Sequence, residues 1–188
     1  EYEQWSALER LNRERELISV YISGHPLDDY SIILTDVCSN HAPDLADISP
    51  YKDKAITVGG IVTSVRTGQT KTGKPYGIVK LEDYDGAGEI ALFGDDWARH
   101  SGYFTIGNSL FITAHVEERH WKPGNYDLHI TKIEFLSDVK ENKIQRITFT
   151  LNLDELDDIA AQDLSTHLQK AGKTELYFNV REPKRSFN

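Results

Sequence analysis

Apolar and polar positions alternate with a period of two through the middle of this chain and with a helical period on either side of it. Five segments carry the strand-like alternation: ITVGGIVTSVRT from Ile56, YGIVKLED from Tyr76, EIALF from Glu89, SLFITAHVEER from Ser109 and YDLHITKIEFL from Tyr126. The turn-rich pieces QTKTGKP, YDGAG and HWKPGN separate them, and GDDWARHSGYF between the third and fourth is predicted to contain a short helix. Upstream, Trp5, Leu8, Leu11, Ile18 and Ile22 recur at helical spacing, and Gly24 and Pro26 stop that helix. A second helix is expected over Leu27 to Cys38, with Leu27, Tyr30, Leu34 and Val37 on its inner face. Residues 39–55 read as a connector with little regular structure. Downstream, SDVKENK (137–143) reads as a polar linker. IQRITFTLNL and KTELYFNV read as strands flanking a helix that runs from an Asp154 cap to Gly172.

The order β-β-β-α-β-β predicts a mainly β protein with some helix, built on a five-stranded closed OB-fold barrel. Gly59 and Gly60, in the middle of the long first strand, leave room for the sharp bend that such a strand needs. Two N-terminal helices precede the barrel and an incomplete β-α-β unit follows it. The expected domains are 1–50, a helical lead-in; 51–137, the nucleic-acid-binding barrel; and 138–188, the start of another domain.

Charge narrows the function. The chain carries a net charge of −9, so it is no general polyanion binder, and a nucleic-acid site must be a local basic patch. From Lys52 to Lys80, five Lys and Arg66 face a single acid, Asp53. Alternation turns Gly77, Val79 and Leu81 inward and Tyr76, Ile78 and Lys80 outward; Ile90 and Leu92 go in, and Glu89, Ala91 and Phe93 go out. That outer face is where OB-folds receive oligonucleotides. The candidate site is therefore Tyr76, Ile78, Lys80 and Phe93. Arg66, Lys71 and Lys74 join it from the loop after the first strand, and Arg119, His120, Trp121 and Lys122 from the loop between the fourth and fifth. Rings stack on bases without regard to sequence, and the cations follow phosphates. The acids Glu82, Asp83, Asp85 and Glu89 lie close by and oppose this reading.

No chemistry is visible. The seven histidines form no metal-binding pair on a predicted helix, and Cys38 stands alone, which fits a reducing compartment and leaves no internal disulfide. Asp83 is expected to open a turn, and Asp95 and Asp96 to sit at a helix N-terminus, rather than to hold metals. TKTGKPYG lacks P-loop spacing. No apolar run is long enough for a membrane span. A chain that opens on Glu1 rather than Met is expected to be a piece of a larger protein.

Three blocks carry a family resemblance: LERLNRERELISVYISGHPLDDY, of which GHPLDDY (24–30) is the most specific part; GGIVTSVRTGQTKTGKPYGIVKLEDYDGAGEIALFGDDW; and LNLDELDDIAAQDLSTHLQKAG. In this order they resemble the bacterial replicative polymerase family, the DNA polymerase III alpha subunits. The resemblance implies a DNA-directed DNA polymerase, a nucleotidyltransferase, whose catalytic aspartates and Mg2+ lie outside this chain. It implies that the barrel contacts single-stranded template beside other polymerase domains, and that the C-terminal domain docks the clamp-loader tau subunit. A cytoplasmic protein with no catalytic residue and no cofactor in this stretch follows. Two alternatives stay open at this point: a barrel that contacts only protein, and the anticodon-binding barrel of an aminoacyl-tRNA synthetase.

Overall fold

The computed structural model describes residues 24–120, 122–152 and 174–181. The predicted helix over residues 3–22, Trp121 and the predicted helix from Asp154 to Gly172 lie outside these. The chain divides at Asp138/Val139 into two compact units, each treated by itself.

The first unit is a single five-stranded antiparallel sheet in the order β3-β2-β1-β4-β5. The strands are β1 (Ala55–Gln69), β2 (Pro75–Glu82), β3 (Ala87–Phe93), β4 (Ser109–Glu118) and β5 (Tyr126–Phe135), each over its predicted segment. β1 serves both halves. Its first part, Ala55–Ile61, pairs with β4, and from Ile61 onward it pairs with β2, with a register shift between Val62 and Ser64. Gly59 and Gly60 stand just before that shift. A Cβ on Gly60 would lie 2.7 Å from the Glu82 carbonyl oxygen, and one on Gly59 2.4 Å from Leu34 Cδ2. The glycines thus permit close approach on both sides of the strand, and the bulge itself turns it.

The five strands form the expected OB-fold sheet, and the barrel is of the partly open kind. Among the described residues no ladder joins β3 to β5. The short helix α1 (Asp95–His100) contacts β2, β3 and β5 instead. Its Trp97 lies where a Cβ on Gly77 would be, 2.2 Å from Trp97 Cζ3, and stacks on Phe104 with ring centroids 6.0 Å apart. Inside, Val79 and Leu81 of β2 meet Ile90, Leu92, Leu110, Ile112 and Val116. Full burial of side chains of this size stabilises by about 1.5–3 kcal/mol each.

Three readings of the flanking segments are corrected. In place of one helix over 27–38 there is a 3₁₀ turn, Asp28–Tyr30, and a π-type turn, Ile33–Val37. Leu27, Ile33 and Leu34 are buried, whereas Val37 is exposed and Tyr30 half-buried. The connector is more ordered than expected, with 3₁₀ turns at Ala42–Ala46 and Ser49–Tyr51, and Ala42 and Leu45 enter the core. The polar linker is in fact helix α2 (Leu136–Lys143), in which Leu136 and Val139, one turn apart, are fully buried.

In the second unit, β6 (Arg146–Asn152) and β7 (Glu175–Arg181) pair in parallel over all seven positions. Parallel neighbours need a crossover between them, as the β-α-β reading requires. Phe149 and Phe178 stack across the pair at 5.6 Å, and Arg146 lies over the Tyr177 ring at 4.6 Å.

Candidate nucleic-acid interface

The alternation read from sequence holds on β2 and β3. Gly77, Val79, Leu81, Ile90 and Leu92 are buried, and Tyr76, Ile78, Lys80, Glu89, Ala91 and Phe93 reach the other side. The register arranges the outer face in rows: Gly68, Tyr76 and Phe93; then Arg66, Ile78 and Ala91; then Ser64, Lys80 and Glu89. The first row is aromatic. Tyr76 lies over Gly68, and its ring centroid is 6.0 Å from that of Phe93, at 38°. Phe93 remains 52% exposed among the described residues, a large ring on a strand. The second row is apolar at Ile78 and Ala91 with Arg66 at its β1 end, and the third carries Lys80 and Glu89.

The β1–β2 loop begins beside the aromatic row. Thr70 N donates to the Lys74 carbonyl at 2.8 Å, and Gly73 N to the Thr70 carbonyl at 2.9 Å, so the loop is a closed turn. Lys71 and Lys74 are exposed on it, and neither they nor Lys80 has an ion-pair partner among the described residues. Arg66 does not belong to this loop, contrary to the sequence reading. It sits within β1 opposite Ile78, and its Nη2 lies 2.7 Å from Glu89 Oε1.

In the sheet the β4–β5 hairpin is joined to this face through β1, since β4 pairs with β1 and β5. It abuts the start of β1, whereas the β1–β2 loop leaves its end. Arg119 is held there by Asp127, Nε donating at 2.7 Å, and this carboxylate keeps the guanidinium's pKa raised. His120 and Lys122 are exposed on the hairpin, and Trp121 lies outside the described residues. Lys52 is paired with Glu118, which also accepts from Gly124 N at 2.8 Å. An open recess of about 590 Å³ is lined by Lys52, Asp53, His115, Glu117, Glu118, Arg119, His120 and Pro123. Three carboxylates against two cations make it a poor cradle for phosphate. The β4–β5 surface continues with His115 opposite His129, Glu117 lying 3.5 Å from His115 Nδ1 and 3.8 Å from His129 Nε2.

Sequence reasoning missed a clasp on the β2–β3 turn. Asp83, buried, accepts from Ala42 N at 2.6 Å through Oδ2 and from Asp85 N and Gly86 N through Oδ1. His41 Nδ1 is 2.8 Å from Asp85 and 3.6 Å from Asp83, so ligand atoms of the three side chains fall within 4.8 Å of one another. The Asp83 oxygens are committed to backbone N–H groups and one donor is an imidazole, a poor match to the oxygen shell that Mg2+ takes. Next to it, Tyr84 donates to Asp28 Oδ1 at 3.0 Å and packs on His25 at 4.8 Å; burial, then the Asp28 hydrogen bond, push its pKa up to about 12. The GHPLDDY stretch is thus fastened to the β2–β3 hairpin. Residues 41 and 83 are too far apart in sequence for spacing to reveal this.

Residues 56–136 match the family model described as an OB-fold nucleic acid binding domain. The chain is 28% identical over 186 residues to the DNA polymerase III subunit alpha of Borreliella burgdorferi, covering 96% of this chain and 16% of that protein. The same subunit of Treponema pallidum is 33% identical over 103 residues, covering 54% of this chain and 8% of that protein. Among solved structures, the second OB-fold domain of replication protein A from Methanococcus maripaludis matches at 12% identity and a TM-score of 0.30, over 45% of this chain and 85% of that one. The family match and the strand order define the class: the first unit carries an OB-fold nucleic-acid-binding domain. It is homologous to the OB-fold region of the bacterial DNA polymerase III alpha subunits, and the chain spans about a sixth or less of the length of these curated relatives.

Proposed function

We propose that this domain binds single-stranded DNA as the template-contacting module of a replicative DNA polymerase. The observation that carries the reading is the Tyr76–Phe93 ring pair, half-buried at Tyr76 and exposed at Phe93, beside three lysines, Lys71, Lys74 and Lys80, that no carboxylate among the described residues holds. Two bases stack on the rings, the strand lies over Ile78 and Ala91, and the lysines follow its phosphates. The charge of −9 confines the site to this patch and keeps its affinity weak, on the order of 10 µM or worse at physiological salt. The stretch performs no chemistry and needs no cofactor of its own; nucleotidyl transfer and its Mg2+ belong to other parts of a polymerase. The unit carrying β6 and β7 begins a domain that docks the clamp-loader tau subunit, in keeping with the family resemblance, and the cytoplasm is the compartment that goes with replication.

Titration of a fluorescent dT oligonucleotide, with duplex of equal length as competitor, tests the reading. Single strands are expected to bind at least several-fold better, since duplex bases are not free to stack. Equal binding of the two, or none to either at low salt, would make this face a protein-contact surface instead.

A further inference from the structure

The cation best shaped for a phosphate on this face is already occupied. Arg66 presents a planar fork of donors, suited to a phosphate as to a carboxylate. Its Nη2 is 2.7 Å from Glu89, a residue 23 positions away that reaches it across β2. Glu89 also stands directly opposite Lys80 in the register. Both members of the Arg66–Glu89 pair are more than half exposed, and an ion pair in that setting adds little to stability. A carboxylate is therefore placed in the middle of the anion path, where the fold gains little from it.

We infer that Glu89 sets the affinity of the DNA face by acting as a resident anion that occupies Arg66 until a phosphate displaces it. The inference rests on the proposed single-strand binding. In the free protein the rings and the three lysines form the available grip, and Arg66 is in reserve. A strand gains the arginine contact only by exchanging phosphate for carboxylate, so that contact contributes far less than an unencumbered one.

Glu89→Gln keeps the size of the side chain and removes its charge. One more phosphate contact on a single strand steepens the log K against log salt slope by about 0.7, which at 0.1 M salt corresponds to roughly fivefold tighter binding. Titrations with labelled oligo-dT would compare the 188-residue chain, Glu89→Gln, and Glu89→Gln in an Arg66→Gln background. The expected result is a gain of about fivefold, with the steeper slope, that disappears when Arg66 is also replaced. If the parent chain binds and Glu89→Gln gains nothing, or if the gain survives without Arg66, the inference is overturned while single-strand binding stands. If neither the parent nor Glu89→Gln binds oligo-dT at low salt, single-strand binding fails and the inference with it.

Discussion

On the β1–β2–β3 half of the sheet, Lys71, Lys74 and Lys80 stand without an ion-pair partner among the described residues, beside a ring pair of which Phe93 is exposed. On the β1–β4–β5 half, Arg119 is held by Asp127, Lys52 by Glu118, and His115 and His129 flank Glu117. Both halves hold aromatic or imidazole rings, lysine or arginine, and acids. The difference lies in how many of these cations are held: on the first half only Arg66 is, by Glu89, and on the second both Arg119 and Lys52 are. An ion pair closed inside a hairpin has its donors already oriented and neutralised, so it offers little to a phosphate. The same residue type in a turn closed by backbone and threonine bonds, as between Thr70 and Lys74, leaves its charge outward. Counting basic residues along a chain cannot separate the two cases.

The largest effect expected from breaking this contrast is on the rings. Phe93→Ala should weaken oligo-dT binding by about 1–3 kcal/mol while leaving the salt slope unchanged, because a ring carries no charge. His129→Ala on the other half should leave binding within about 0.5 kcal/mol of the parent, as surface changes away from a site do. Next in size is the paired change Lys71→Gln with Lys74→Gln. It should flatten the salt slope by roughly 1–1.5, at about 0.7 per phosphate, with no loss of fold as judged by circular dichroism. Arg119→Gln sharpens the comparison from the other side: its slope should match the parent's, and hydrogen exchange should instead show weaker protection in the β4–β5 hairpin it closes.

The smallest expected effect is on pH. α1 carries His100, whose side chain is buried and whose pKa is held below the ordinary imidazole value chiefly by that burial, with the Arg99 charge adding to it. The folded chain therefore keeps this imidazole neutral where the unfolded chain protonates it. Stability on this account is fully present above about pH 6.5 and falls as pH drops through that value toward the lower folded one. Thermal melts at pH 7.5 and 5.5 should show the loss, and His100→Gln should reduce it. Since α1 contacts β2, β3 and β5, acid should loosen both halves together.

The strands and their faces were legible in the sequence because a period of two leaves no choice of side: once Leu81 is inward, Lys80 and Ile78 are outward. Element positions followed for the same reason. Helix α2 was not legible, since its apolar signal is only Leu136 and Val139 among six polar residues. Nor were the turns over residues 42–51, whose prolines read as loop but sit at 3₁₀ starts. The ring pair and loop lysines of the site could be placed from sequence. The state of its cations could not: Arg66 meets Glu89 only through two strand registers, and Asp83 serves the 42–46 turn as well as its own.

The most direct test is amide shift mapping of the isotopically labelled chain as oligo-dT is added at low salt. The account predicts that shifts concentrate at Lys71–Lys74, Tyr76, Ile78, Lys80, Ala91 and Phe93, and leave His115, Glu117, Arg119 and His129 unmoved. Shifts centred on the β4–β5 hairpin, or none at Tyr76 and Phe93, would contradict it.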